Sequence, residues 1–131
     1  MASSARYHVF QLGESLLAGD ASRSLRILDG LEGEGEEPTL VLWCLVEELR
    51  SILQWSAQAG PAARRLFRGG RRRKELLRTA AQRVPRARAV ALLGAATRVD
   101  ALIKGSRKDE AWGALARIAT DLCNATRIRA G

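Results

Sequence analysis

Apolar residues recur at three- and four-residue steps along most of this chain, which is the spacing of one face of an α-helix. The longest such stretch runs from residue 39 to about residue 59, where Leu, Ile and Val form a broad stripe. A stripe of that width predicts a central helix packed against several neighbours. Strict alternation of apolar and polar residues over the length of a strand does not occur in the sequence. The pattern therefore predicts an all-α fold.

Capping and helix-breaking residues divide this pattern into about six to seven helices. Asp20 suits the N-cap of the second helix, and Pro38 suits the first turn of the third. Asp109 or its neighbour is expected to cap the last helix. The predicted helices lie at residues 9–19, 39–59, 61–67, 71–84, 85–105 and from 109 onward, and the second helix begins after Asp20, includes Leu31 and is ended by the glycines at 30, 33 and 35. We expect one compact helical bundle over residues 9–127, after a disordered lead-in at 1–8 and before a tail at 128–131.

Charge is distributed unevenly between the two halves of the chain. The net charge is +8, yet residues 1–60 contain four Lys and Arg against nine Asp and Glu. Residues 61–131 contain eighteen basic residues against five acidic ones. This separation predicts a surface that meets polyanions or acidic partners on one side only.

The basic charge is densest in residues 64–88, where eleven cations accompany Glu75 as the only acid. These side chains could contact DNA phosphates, or they could simply solvate an alanine-rich helix. No aromatic residue lies between Phe67 and Trp112, so any DNA contact is expected to be electrostatic and independent of base sequence. The candidate phosphate contacts are Arg68, Arg71, Arg72, Arg73, Lys74 and Arg78.

Motifs for catalysis, cofactors and metals are absent from the sequence. The glycine-rich segment at residues 30–35 is acidic and lies between helices, unlike a phosphate-binding loop. Cys44 and Cys123 sit in apolar helical patterns and are expected to be buried free thiols. With His8 as the single histidine, a zinc site is not expected. No apolar run is long enough to span a bilayer, and residues 1–6 do not look like a secretory signal.

The three tryptophans lie in or beside predicted apolar stripes. Trp43 and Trp112 come near helix starts and are expected in the core or at an interface. Trp55 comes near the end of the central helix and is the best candidate for an exposed packing residue.

Several motifs occur in the order and spacing of a known family. Residues 16–31 read LLAGDASRSLRILDGL, residues 34–38 read EGEEP, and residues 42–53 read LWCLVEELRSIL. The segment VDALIKG at 99–105 and the pair Trp112 and Leu115 follow in turn. This succession resembles the C-terminal collar domain of the bacterial DNA polymerase III delta subunit, a clamp-loader component.

The resemblance implies a helical collar of the kind found in AAA+ clamp loaders, with a role in DNA replication. Its expected partners are the tau/gamma and delta-prime subunits, whose collars pack into a ring. The sliding clamp is expected to bind only the N-terminal domain of delta, which this chain lacks, and delta does not hydrolyse ATP. The chain is therefore expected to be a non-catalytic part of the DNA-directed DNA polymerase III holoenzyme. It would need no cofactor and would act in the cytoplasm, at the nucleoid-associated replisome. We assign Arg50, Trp55 and Lys104 as candidate subunit-interface residues.

Two segments depart from the family pattern. Relatives often have an aromatic residue before the basic helix or between the last two helices, whereas residues 68–71 and 106–108 here are RGGR and SRK. A direct contact with a DNA base is therefore in doubt. The alternative function is that of a freestanding helical protein that binds nucleic acid through residues 64–88.

Overall fold

Helices form most of the backbone in the computed structural model, which describes residues 2–58, 60–65 and 67–126. No strand occurs within these ranges. The prediction of an all-α bundle of six to seven helices is confirmed. The helices in the described ranges are α1 (Ala2–Ala18), α2 (Ala21–Gly33), α3 (Pro38–Ala57), α4 (Gly60–Arg64), α5 (Arg71–Arg83), α6 (Arg86–Lys104) and α7 (Lys108–Asn124).

The first helix begins earlier than the sequence pattern indicated. Helix α1 begins at Ala2, so the prediction of a disordered lead-in over residues 1–8 is wrong for residues 2–8. Small and polar residues such as Ser4 and Ala5 hide the helical pattern, because they carry little hydrophobic signal. Met1 and residues 127–131, which include the predicted tail at 128–131, lie outside the described residues.

Helix α2 includes Gly30 and ends at Gly33, one of the three glycines that the sequence placed at its end. Leu31 is buried in the core, and its packing outweighs the cost of about 1 kcal/mol for a glycine inside a helix. After the helix, Gly35 adopts a positive φ of 77°. The Glu36 amide then donates to the Leu31 carbonyl at 3.0 Å, which satisfies one of the last carbonyls of the helix.

Helix starts agree with the predicted caps at two positions and differ at a third. The Asp20 side chain accepts a hydrogen bond from the Arg23 amide at 3.0 Å, as an N-cap should. Pro38 is the first residue of α3, so its missing N–H removes no helical hydrogen bond. Asp109 instead lies inside the first turn of α7, whose N-cap position is Arg107.

Helix α3 is the centre of the bundle and packs against α1, α5, α6 and α7. Helix α2 packs against α1 and α7, and α7 also packs against α6. The buried apolar residues form one cluster that all six longer helices share. The largest fully buried side chains are Leu12, Leu16, Leu17, Leu31, Val41, Leu45, Leu49, Ile52, Leu77, Val84, Leu115 and Leu122.

Trp55 occupies an environment opposite to the predicted one, whereas Trp43 loses only one of its two predicted alternatives. Trp55 is only 6% exposed, so its prediction as an exposed packing residue is wrong. Phe67 covers it edge-on with ring centroids 5.1 Å apart, and the Arg64 guanidinium lies 5.2 Å from its ring centroid. Trp43 is 65% exposed and is therefore not a core residue, whereas Trp112 is buried.

Candidate functional site

Helix α5 holds five of the six predicted phosphate contacts, and Arg68 lies in the loop before it. The helix attaches to the bundle through Leu77, Ala80 and Ala81, which are buried. Its start has no side-chain cap at Gly70, and its first four residues are all basic. Cations are unfavourable at a helix N-terminus. Whether each of these side chains is available to a ligand depends on the contacts that it makes within the protein.

Arg73 is committed to an ion pair inside the protein. Its Nη2 and Nη1 atoms donate to Oε1 and Oε2 of Glu48 at 2.8 and 3.1 Å, and Glu48 is buried. The hydrogen bonds that Arg73 donates to this carboxylate raise the pKa of Arg73. Removing the arginine would leave a buried carboxylate unpaired. Arg73 is therefore a structural residue and does not suit the predicted role as a phosphate contact.

Two glycines make space for this ion pair. A Cβ atom on Gly13 of α1 would lie 2.4 Å from Glu48 Oε2. A Cβ atom on Gly69 would lie 2.7 Å from Arg73 Cδ, and Gly69 also has a positive φ of 101°. The pair thus connects α1, α3 and α5 where their backbones approach closely.

Three further predicted contacts have exposed partners. Arg72 Nε donates to Glu14 Oε2 at 2.9 Å, and Lys74 Nζ donates to the Arg65 carbonyl at 3.2 Å. Arg78 pairs with Glu75 one turn earlier on α5, and their hydrogen bond raises the pKa of Arg78. Exposed pairs of this kind contribute little to stability, so these cations can exchange their partners for a phosphate.

Arg68 and Arg71 are exposed and make no ion pair or side-chain hydrogen bond within the part of the chain that the structure describes. The same is true of Arg65, and of Arg86 and Arg88 at the start of α6. These five residues are the basic side chains of the 64–88 segment that are most available to an external anion.

Arg83 has a role that the sequence did not reveal. Its Nη1 donates to the carbonyls of Leu122, Cys123 and Ala125 at 2.7, 2.9 and 3.0 Å. Its Nη2 lies 3.3 and 3.4 Å from the carbonyls of Leu16 and Leu17. The guanidinium thus joins the C-terminal ends of α7 and α1, where the helix dipole favours positive charge. Burial lowers the pKa of Arg83.

Large aromatic side chains are exposed at the N-terminal parts of α1 and α3. Tyr7 and Phe10 on α1 are 60% and 61% exposed, close to the value for Trp43 on α3. The Cys44 thiol lies 3.7 Å from the Val9 carbonyl, so the neighbours Phe10 and Trp43 lie on adjoining turns of two packed helices. We call Tyr7, Phe10 and Trp43 the exposed aromatic group.

The candidate interface residues are placed in three different ways. Arg50 is exposed seven residues after Trp43, so both lie on the outer face of α3 with Glu47 and Gln54. Lys104 ends α6 and pairs with Asp100 at 2.8 Å; the hydrogen bond raises its pKa. Trp55 is buried, as described above, and is not available to a neighbouring chain.

The thiols and acidic side chains form no site for a metal ion. Within the residues that the structure describes, no three His, Cys, Asp or Glu side chains are grouped so that they could hold one. Cys44 and Cys123 are buried and unpaired, as predicted, and burial raises the pKa of Cys44 to about 12. None of the described helices is both long and apolar enough to cross a membrane.

Comparison with known proteins adds no assignment. Neither a protein-family model nor a curated protein matches the chain.

Proposed function

We propose that this chain is a clamp-loader collar domain of the DNA polymerase III delta type, which assembles with other collars during DNA replication. The observation that carries the proposal is Trp43, which is 65% exposed on the outer face of the central helix. The ordered sequence motifs and the all-α bundle support the same function. In this role the chain binds the tau/gamma and delta-prime collars at the cytoplasmic replisome, hydrolyses no ATP and needs no cofactor.

The composition of the exposed aromatic group favours contact with protein. Aromatic residues and arginine are enriched at the centres of protein interfaces, where a few of them supply most of the binding energy. Trp43 is exposed, as are Tyr7 and Phe10 on the packed helix α1, and an exposed arginine, Arg50, lies two turns later on α3. Glu47 lies between them on the same face, so a partner could place opposite charges beside the tryptophan. We therefore place the main collar contact on this outer face of α3 and the adjoining part of α1.

Binding of the chain to purified tau/gamma and delta-prime collars, measured by calorimetry, tests the proposal. We expect association at micromolar concentration and a loss of at least about thirtyfold for Trp43→Ala, as for an interface hot spot of about 2 kcal/mol. Val90→Ala on α6 is the matched control, because Val90 is also an exposed apolar residue. Circular dichroism checks that each variant is folded. Absence of binding by the folded wild-type chain, or equal binding by Trp43→Ala, would contradict the proposal.

A second candidate function is sequence-independent binding of nucleic acid. The five unpaired residues Arg65, Arg68, Arg71, Arg86 and Arg88 favour it, because each could replace a counterion on a phosphate. A titration of duplex DNA at several salt concentrations tests this function. We expect Arg71→Ala to lower the salt slope by about one, and Arg26→Ala, in the acidic half, to leave it unchanged. A wild-type affinity that does not depend on salt would contradict the function.

A further inference from the structure

A cavity of about 460 Å³ lies between α3, the segment around α4, and α5. Phe67, Ala63 and Leu77 form its apolar part, while Ser51 and Gln54 of α3 line it together with Gln58, which directly follows the helix. Its volume lies within the range of about 300–1,000 Å³ that is usual for sites of small ligands. A short segment of extended peptide would fit, whereas a folded element would not.

Ser51 is a polar side chain that lines this cavity. The residue is only 6% exposed, but its hydroxyl is not enclosed. Among the described residues, Arg64 Nε is the one enclosed side-chain nitrogen or oxygen without a hydrogen bond. The Ser51 hydroxyl is therefore open to the cavity, where a ligand can take the place of water as its hydrogen-bond partner.

The charges around the cavity select the kind of ligand. Arg73 lines it but is neutralised by Glu48, as described above. Arg68 and Glu47 also line it, and neither makes an ion pair within the described residues. A doubly charged phosphate would meet one free cation beside one free carboxylate. A peptide end suits both, because its carboxylate can bind Arg68 while its backbone N–H groups donate toward Glu47.

We infer that this cavity binds the C-terminal end of a peptide that carries an apolar last side chain. The terminal carboxylate binds the Arg68 guanidinium, and the apolar side chain packs against Phe67 and Leu77. The hydroxyl of Ser51 and the amides of Gln54 and Gln58 bind the peptide backbone, because each can both donate and accept hydrogen bonds. This site shares Glu47 and Gln54 with the outer face of α3 that carries Trp43, but it does not depend on the collar assignment.

The test uses the tetrapeptide acetyl-Gly-Ala-Leu-Phe with a free carboxylate, added to the 131-residue chain and followed by NMR. We expect the side-chain amide signals of Gln54 and Gln58 to shift. The C-terminal amide of the same peptide removes the charge and should bind at least about tenfold more weakly, as expected for loss of a charge-assisted hydrogen bond.

Variants assign the contacts to particular residues. Arg68→Ala should match the loss seen with the amidated peptide, while Arg71→Ala, equally exposed but outside the cavity, should bind as the wild type does. Ser51→Ala should weaken binding about two- to tenfold, as expected for one neutral hydrogen bond. The inference is overturned if the free-carboxylate peptide does not bind at millimolar concentration, or if its amide or Arg68→Ala binds equally well. Tighter binding of adenosine monophosphate than of the peptide would also overturn it. No other collar is present in this experiment, so its outcome is independent of the proposed assembly.

Discussion

Replacement of Arg83 by alanine tests the most heavily connected polar side chain in the described structure. The variant removes the guanidinium between the ends of α7 and α1 and leaves up to five carbonyl groups without this donor. Three of the five contacts, those to Leu122, Cys123 and Ala125, are 3.0 Å or shorter. The two contacts to α1 are longer and contribute less.

The expected loss follows from these distances. At about 1 kcal/mol net for each of the three short hydrogen bonds, Arg83→Ala should lower the free energy of unfolding by about 3 kcal/mol. The charge assistance raises this value, whereas water that reaches the half-buried carbonyls lowers it. For a chain of this length, the midpoint of thermal unfolding should fall by about 10 °C.

Urea and thermal unfolding, followed by circular dichroism at the helix band, measure the change. Arg83→Lys should be intermediate, because it keeps the charge but lacks the fork that reaches both helix ends. Arg78→Ala is the matched control on the same helix and should change stability by no more than about 0.5 kcal/mol. A loss below about 1 kcal/mol for Arg83→Ala would refute the view that this residue holds the two helix ends together.

Three further predictions follow from close packing, ionisation and exposure. Gly13→Ala should destabilise the protein, because its Cβ would lie 2.4 Å from Glu48 Oε2. Gly94→Ala has open space around it and should raise the free energy of unfolding by about 0.5–1 kcal/mol. If urea unfolding showed Gly13→Ala to be the more stable variant, this packing would be contradicted. Burial raises the pKa of Cys44 from 9.0 to about 12, so an unfolded thiol ionises first and the free energy of unfolding should fall as pH rises from 9 toward 12. Cys44→Ala should weaken that dependence, and identical pH profiles for the two proteins would exclude this cause. Acrylamide should quench the fluorescence of Trp43 most strongly, since the other two tryptophans are buried, and Trp43→Phe should remove most of the quenching; unchanged quenching would place the exposed tryptophan elsewhere.

The helices were predictable from the sequence because local signals specify them. Asp20, Pro38 and the leucine spacing of α3 act over one or two turns, and the structure has helices at each of these places. The faces of the helices were harder to predict. Trp43 and Trp55 both belong to α3, and only the placement of Phe67 and Arg64, from a later segment, explains why the second is covered.

The roles of the individual basic residues were also hard to predict from the sequence. Arg71, Arg73 and Arg83 are alike in composition and belong to one helix, so their charge alone predicted one common role. The structure separates them through distant partners: Glu48 on α3 binds Arg73, and the ends of α1 and α7 bind Arg83. Glu48 lies among the buried residues of α3, and an acid at such a position indicates that a basic residue pairs with it. The carbonyls that bind Arg83 belong to the backbone, which is the same for every residue, so the sequence contains no signal for them.

The contacts of Arg83 have a consequence for the order in which the chain folds during synthesis. Helix α1 is made before the other helices of the bundle, but the arginine that binds its last carbonyls is more than sixty residues further along the chain. That arginine in turn acquires its strongest acceptors only when the end of α7 has left the ribosome. The first and last helices of this bundle are therefore joined by one side chain from between them. Full protection of the α1 carboxyl end against hydrogen exchange is expected only after α7 has emerged, so folding of the bundle should be completed in one late cooperative step.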